Sequence, residues 1–400
     1  MSVYIQQTTG SYDLIRDALV RGVVDGVIYG AKGATPPTLR QSMKDMEHLR
    51  ADVLFDPQFY LSTVSKASDR LLKRSYEQWY EGGRGIESFD DEERVRKDAK
   101  ETLMTQETLR LSRTISPTVP FTSFDDDWSV VARRLAEASL NAHLNCSAAM
   151  PPKPLLLSFV FSEKALASRR LMDEFIDLLT RSEASGVYLI VVRDDTAYNQ
   201  GFAPELLENY LRMVHSLGKN NDMEVVIGYT DFVGILLRAA GASAIGVGWT
   251  QTARKFLLDN FREKPESIRS NPNPRYASTS LMTSLRFTDV VSIYEADRSL
   301  FTKILTGGPL DSNLTGAEGP RLHTWTVRLS EIQHWEALSI LDRSLTGKPS
   351  EDFDAIEARI FSAIDLYSII RREKIINDLD DSHLLQWKNA IAAFRTRNDI

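Results

Sequence analysis

Asp56 is the residue whose type and setting point most directly to chemistry. In Ala51–Tyr60, ADVLFDPQFY, a short apolar strand signal delivers a carboxylate and stops at once on Pro57. The C-terminal end of a strand is where α/β barrels place their reacting groups, and a carboxylate there can serve as acid, base or nucleophile. Asp-Pro is also a common turn opener, so the same dipeptide can be a turn and nothing more. Other apolar runs end in the same way. VYLIVVRDDT closes on Arg193, Asp194 and Asp195, and MEVVIGYTDF carries Asp231 two residues after Tyr229. Each of these acids has a plain alternative as a turn or helix cap. Asp231, directly ahead of an apolar helix, suits that alternative especially well.

Polar and aromatic side chains gather at the same ends. Gln58 and Phe59 follow Asp56, while Tyr229 and Trp249 stand at the ends of later strands, and core or rim packing is the ordinary role of such rings. Tyr29 closes the second strand signal, and Lys32 follows in a Gly-Ala-Lys-Gly-Ala turn just before the Thr35-Pro36 helix start. An anion can bind at such a helix start, though an exposed turn lysine is the simpler reading. Tyr76, Trp79 and Tyr80 have helical spacing beside Arg70, Lys73 and Arg74, a pattern that either stacks bases and holds phosphates or docks an aromatic face on the core. From Gln251 to Arg275, six basic side chains, Arg254, Lys255 and Arg275 among them, face three acidic ones. That is a phosphate track or a solvated face. The histidines show no metal spacing and the single Cys146 excludes an intrachain disulfide and a cysteine-rich zinc site, so neither metal nor cofactor is assigned.

The elements that would carry these residues alternate. VYIQQ reads as a strand and Ser11 onward as a helix; Val27 to Tyr29 and then Thr35 to Arg50 repeat the unit; ADVLFD begins a third. Residues 61–124 read as a long helical, charged insertion, with ISPTVPF at 115–121 an extended connection. PLLLSFVFS, VYLIVV, VVIGY and SAIGVGW supply a fourth to a seventh strand, and the eighth is placed in SLRFTDVVSIY at 284–294. The rhythm, with no GxGxxG fingerprint, predicts an α/β chain: a (β/α)8 TIM-like barrel over 1–295 and a helical C-terminal extension over 296–400. Its 400 residues suit a barrel with insertions, and 42% hydrophobic and 26% charged residues suit a globular protein. A net charge of −7 argues against indiscriminate nucleic-acid binding. No apolar run is suited to spanning a membrane and MSVYIQQTTG has no export signal, so a cytoplasmic location is expected.

LFDPQF, together with VVIGYTDFVGILLRAAGASAIGVGWTQTAR, resembles the tRNA-guanine transglycosylase superfamily. Asp56 falls where that family has its first aspartate, DPQF replaces a glycine pair, and Gly246 stands where the second, nucleophilic aspartate would be. More narrowly, the length, the lack of cysteine ligands and the LFDPQF start are similar to those of zinc-free bacterial anti-phage DNA glycosylases of this barrel type. The resemblance implies cleavage of the N-glycosidic bond of a modified base, glucosylated hydroxymethylcytosine, in phage DNA, leaving abasic sites. A duplex substrate implies a flipped base. In that setting Asp56 is the first candidate for catalysis, with Asp231, or Asp194 and Asp195, as a second acid or base. Tyr229, Trp249 and Phe59 would frame the base, Gln58 and Arg193 would read its edge, and Tyr29, Lys32 and Asp195 complete the substrate set. Arg74, Trp79, Arg254, Lys255 and Arg275 would hold the strand. Base exchange in tRNA or DNA, a non-catalytic nucleic-acid-binding adaptor and a sugar-phosphate enzyme are the alternatives; Asp56→Asn separates catalyst from adaptor.

Overall fold

The computed structural model describes residues 2–7, 10–64, 76–145, 153–194, 201–262, 273–316, 318–376 and 379–398. Short β-branched and aromatic runs form the strands β1 (Val3–Gln6), β2 (Gly26–Gly30), β3 (Asp52–Asp56), β4 (Thr114–Ile115), β5 (Pro120–Phe121), β6 (Leu155–Ser162), β7 (Gly186–Val192), β8 (Glu224–Gly228) and β9 (Ala244–Val247). They make one parallel sheet in the order β3-β2-β1-β9-β8-β7-β6-β4, with β5 also on β6. The two ends of that order meet where Ser112 N–H donates to Val53 O at 2.9 Å and Val53 N–H to Ser112 Oγ at 3.1 Å. The result is a nearly closed eight-stranded α/β barrel with helices between its strands and a helical C-terminal region, as the alternating rhythm predicts.

Two details differ from the expectation, and they share a cause. Residues 115–121, expected to be a connection, belong with Thr114 to the fourth strand: Thr114 pairs with Leu155 and Pro120 with Val160, on either side of a short break. The count therefore moves by one, and β9 closes the barrel on β1 through Val3 opposite Ile245. The segment 284–294 is not a barrel strand. Its start lies in β11 (Thr283–Arg286), antiparallel to β10 (Arg275–Ser278), and its remainder lies in the helix Phe287–Ala296.

The helix Val327–Arg343, within the C-terminal region, packs on β1 and on the helices Tyr12–Val20 and Val233–Ala240, where the barrel's eighth helix belongs. It is pinned there by Trp335 Nε1–H to Val247 O at 2.9 Å and Ser339 Oγ–H to Val23 O at 2.6 Å. The helices Pro349–Arg372 and Ser382–Asn398 pack outside it, against Val233–Ala240 and Pro204–His215. No described helix is long and apolar enough to cross a membrane.

Candidate active site

Side chains alternate along a strand, so Tyr4 and Gln6 on β1, Ile28 on β2 and Asp52, Leu54 and Asp56 on β3 share the inner face. Asp56 ends β3 at the C-terminal side of the barrel and is 1% exposed. Past it the chain turns sharply: Gln58 is held at φ 51, in the left-handed region, and its N–H donates to Asp56 Oδ1 at 2.9 Å. The turn throws Tyr60 back over the strand end, where its hydroxyl donates to Asp56 Oδ2 at 2.9 Å. Tyr188, from the middle of β7, donates to the same oxygen at 3.3 Å and to Gln6 Oε1 at 3.1 Å. Tyr229, just past β8 and also at positive φ, completes the ring: its hydroxyl lies 3.4 Å from that of Tyr60 and accepts from Gln58 Nε2 at 2.9 Å.

Neighbouring glycines make room for this ring. A Cβ on Gly228 would lie 2.5 Å from the Tyr188 hydroxyl. One on Gly246 would lie 2.6 Å from Gln6 Oε1 and 2.9 Å from Ile28 Cδ1, so Gln6 fills the space a larger side chain would need. Gln6 Nε2 is buried without a protein partner, a donor left over beside the carboxylate.

All of the partners of Asp56 are neutral. Burial therefore dominates and pushes its carboxyl up to about 7, although the Gln58 N–H and the hydroxyls of Tyr60 and Tyr188 pull it the other way. Burial and the neighbouring carboxylate push Tyr60, Tyr188 and Tyr229 well above the usual phenol range, so they remain protonated donors. A carboxyl that is half ionised near neutral pH, among fixed hydroxyl donors, can give or take a proton without a large change in its surroundings.

Gln58 also reaches β2. Its Oε1 accepts from Lys32 N–H at 2.7 Å, which fixes the turn that carries Lys32. The half-buried Lys32 amine lies 4.7 Å from the centre of the Phe261 ring, and burial lowers it to about 8. Phe261 tilts against Phe256 at 5.4 Å, and Phe256 stands edge-on to Tyr60 at 5.3 Å and to Tyr229 at 4.8 Å.

The other expected residues lie elsewhere. Tyr29 points outward, its hydroxyl 3.2 Å from Ser42 Oγ on the helix Pro36–Asp45, because it is one residue out of phase with the inner face. Phe59 packs edge-on against Tyr80 and Phe89, inside the segment between β3 and β4. Arg193 is a buried tie, donating to Glu163 Oε2 at 2.6 Å and lying 3.8 Å over Phe202. Asp194 is on the surface, 2.6 Å from Lys164 Nζ. Trp249 packs edge-on to Trp335.

Asp231 sits past β8 with its Oδ1 2.9 Å from Phe232 N–H and 2.7 Å from His334 Nε2. The contact with His334 is close but lies off the ring's N–H direction, so it counts as proximity and not as an aligned hydrogen bond. Burial raises the Asp231 carboxyl, yet His334, Arg254 and the Phe232 N–H hold it below the usual range. Burial and Arg254 in turn hold His334 low. Ser284 Oγ lies 3.0 Å from His334 Nδ1, so Asp231 belongs to a separate buried network joining β8, β11 and the helix Val327–Arg343.

The expected basic track does not form among the described residues. Arg254 is buried and donates to Gly248 O at 2.9 Å and Trp249 O at 3.0 Å, Lys255 is 2% exposed, and Arg275 donates to Ser284 O at 2.7 Å. Trp79 is half-buried against Phe55, with Nε1–H to Ala34 O at 2.8 Å. Arg70, Lys73, Arg74 and Asp195 lie outside the described residues.

The residues that sequence reasoning missed are Gln6, Tyr60 and Tyr188. Gln6 had a usable signal, a buried-strand position occupied by an amide, and Tyr188 is the one hydroxyl in an otherwise apolar run. Among the described residues no three His, Cys, Asp or Glu side chains gather as a metal site. Fold and site together define an α/β barrel with a buried acid, Asp56, held by neutral partners at its C-terminal face. A scan against protein-family models and a search of curated proteins return no match for this chain.

Proposed function

We propose that this chain is a DNA glycosylase that hydrolyses the N-glycosidic bond of a modified base, with Asp56 as the catalytic acid. The observation that carries the reading is the setting of Asp56: a lone carboxyl at a barrel strand end, tuned to about 7 and surrounded by three tyrosines and two glutamines. In its protonated form it gives a proton to the departing base. In its ionised form it stabilises the oxocarbenium character that develops on the sugar and activates water. The tyrosine hydroxyls and the Gln6 and Gln58 amides are donors and acceptors suited to the edge of a base. Phe256 stands edge-on to Tyr60 and Tyr229 and closes one side of the ring with an apolar face.

Hydrolysis is favoured over exchange because Asp56 is the one acid in the ring among the described residues and Gln6 fills the space beside Gly246. The resemblance in length, lack of cysteine ligands and the LFDPQF start suggests glucosylated hydroxymethylcytosine in phage DNA as the base, and antiviral defence as the role. The test is incubation of the protein with phage DNA carrying that base and with unmodified DNA, reading released base and abasic sites. Release from modified DNA alone, lost in Asp56→Asn, is expected. Equal release by Asp56→Asn, or none from either DNA by folded protein, would overturn the reading.

A further inference from the structure

Lys32 supplies an amine on the aromatic wall that leads to Asp56, and its placement goes beyond binding. Three observations set it apart from a surface lysine. Its backbone N–H is held at 2.7 Å by Gln58 Oε1, while the same Gln58 donates its own N–H to Asp56 and its Nε2–H to Tyr229. One residue therefore fixes both positions, the Lys32 turn through its side chain and the carboxyl through its backbone N–H. The turn cannot drift away: a Cβ on Gly30 would meet Gln58 Nε2 at 2.8 Å, so that backbone lies directly on the Gln58 amide. The amine rests over Phe261, whose neighbour Phe256 contacts Tyr60 and Tyr229. No carboxylate among the described residues neutralises it, and burial alone brings it to about 8, so a useful fraction is the free base near neutral pH.

We propose that Lys32 is a second catalytic residue, an amine nucleophile that forms an imine with C1′ of the deoxyribose and so adds strand cleavage to base removal. The proposal rests on the glycosylase reading above. The lone pair of Nζ attacks C1′ as the C1′–N bond to the base breaks. The base leaves with that bonding pair and takes a proton from the Asp56 carboxyl. The attached amine loses a proton to solvent, O4′ departs from C1′ and is protonated, and the C1′=N iminium remains. The iminium acidifies the C2′ hydrogens. One is lost as a proton to a base, for which the Asp56 carboxylate is the candidate, the C3′–O bond breaks, and the 3′ phosphate leaves with its electron pair. Water then hydrolyses the imine, which frees Lys32 and an unsaturated aldehyde on the cleaved strand. No oxidant or reductant is consumed.

The experiment uses the full chain with end-labelled DNA of two kinds: DNA carrying glucosylated hydroxymethylcytosine, and DNA with a preformed abasic site. Borohydride is added to reduce any imine to a stable protein–DNA adduct, and nicking is read without heat or alkali. The wild type is expected to give an adduct and a nick on both DNAs. Lys32→Arg, which keeps the charge but forms no imine, and Lys32→Gln should each lose at least about 50-fold of adduct and nick, in line with removal of a covalent nucleophile. Base release without adduct in the wild type would overturn the proposal and leave the glycosylase reading standing. Equal trapping by wild type and Lys32→Arg would also overturn it, since another amine would then be reacting. Trapping on abasic DNA that depends on Lys32, with no base released from any DNA, would support the lysine's role and sink the glycosylase reading alone.

Discussion

Asp52 and Asp56 stand at the two ends of β3 and point the same way into the barrel, yet they are opposite kinds of acid. Asp52, at the N-terminal end, accepts from Arg113 Nη1 at 2.9 and 3.0 Å and from the Tyr4 hydroxyl at 2.5 Å, and Arg113 Nε also reaches Glu224 Oε2 at 2.6 Å. Burial raises its carboxyl, but Ser112, Tyr4 and Arg113 together hold it below the usual carboxylate range. Asp56 has hydrogen bonds of similar length and no cation, and its carboxyl rises to about 7. A counter-charge separates a structural acid from one able to exchange a proton. One strand thus carries a cation-paired acid at one mouth of the barrel and an acid with only neutral partners at the other.

The largest expected effect breaks the chemical half of this pair. Asp56→Asn should lower base release by about 10²- to 10⁴-fold, the range for loss of a general acid or base, with an unchanged circular dichroism spectrum. Asp52→Asn should leave turnover per folded molecule within about twofold, since Asp52 touches no atom of the site; a matching loss in both variants would dissolve the contrast.

Stability against pH should separate them by sign. The folded-state value of Asp56 lies above its unfolded one, so its contribution is fully present below about pH 4 and is lost as pH rises to about 7. Raising a carboxyl from its ordinary value to about 7 corresponds to roughly 4 kcal/mol over that window. Asp52 runs the other way: its contribution is present above its unfolded value and is lost as pH falls through its lower folded one. Burial raises Glu336 to about 7 as well, so urea unfolding from pH 4 to 8 should show a decline in the wild type that Asp56→Asn reduces and Asp52→Asn keeps.

A smaller effect is expected at the structural end. Arg113→Met leaves Asp52 and Glu224 facing each other without their cation, with side chains 28% and 20% exposed. Complete burial of such a pair would cost about 3–5 kcal/mol; here roughly 2 kcal/mol is expected once solvent screening is allowed for. The measurement is the urea midpoint, with turnover of the folded fraction unchanged.

The same contrast explains what could be read from the chain alone. The β-then-α rhythm and the strand-ending Asp56 are local patterns, and both the barrel and the burial of Asp56 at its C-terminal face follow them. Strand 114–121 was hidden by Pro117 and Pro120, which remove ladder donors and make a strand look like a connection. The inner face was hidden because strands covered on both sides are apolar throughout and show no alternation. Tyr29 and Tyr188 look alike in sequence, yet one faces a helix and the other faces Asp56. Charge counting likewise could not tell that Arg254 and Lys255 are buried ties to the barrel rim and not a phosphate track.

The finest test asks how two hydroxyls share the tuning of one carboxyl. Tyr60 and Tyr188 both donate to Asp56 Oδ2, but at 2.9 and 3.3 Å, and Tyr188 is shared with Gln6 while Tyr60 is shared with Tyr229. Removing either hydroxyl withdraws a donor that favours the ionised acid, so each phenylalanine variant should move the basic limb of the pH–rate profile, where the acid gives up its proton, upward. The shorter bond should matter more. A net hydrogen bond of about 1 kcal/mol corresponds to somewhat under one pH unit for Tyr60→Phe, and Tyr188→Phe should give about half of that. The double variant should approach the sum only if the two bonds act independently, and a shortfall would mean that losing one hydroxyl draws the other closer to the carboxylate. A downward shift in either single variant would show that its hydroxyl accepts from protonated Asp56, and the direction of that hydrogen bond would have to be reversed.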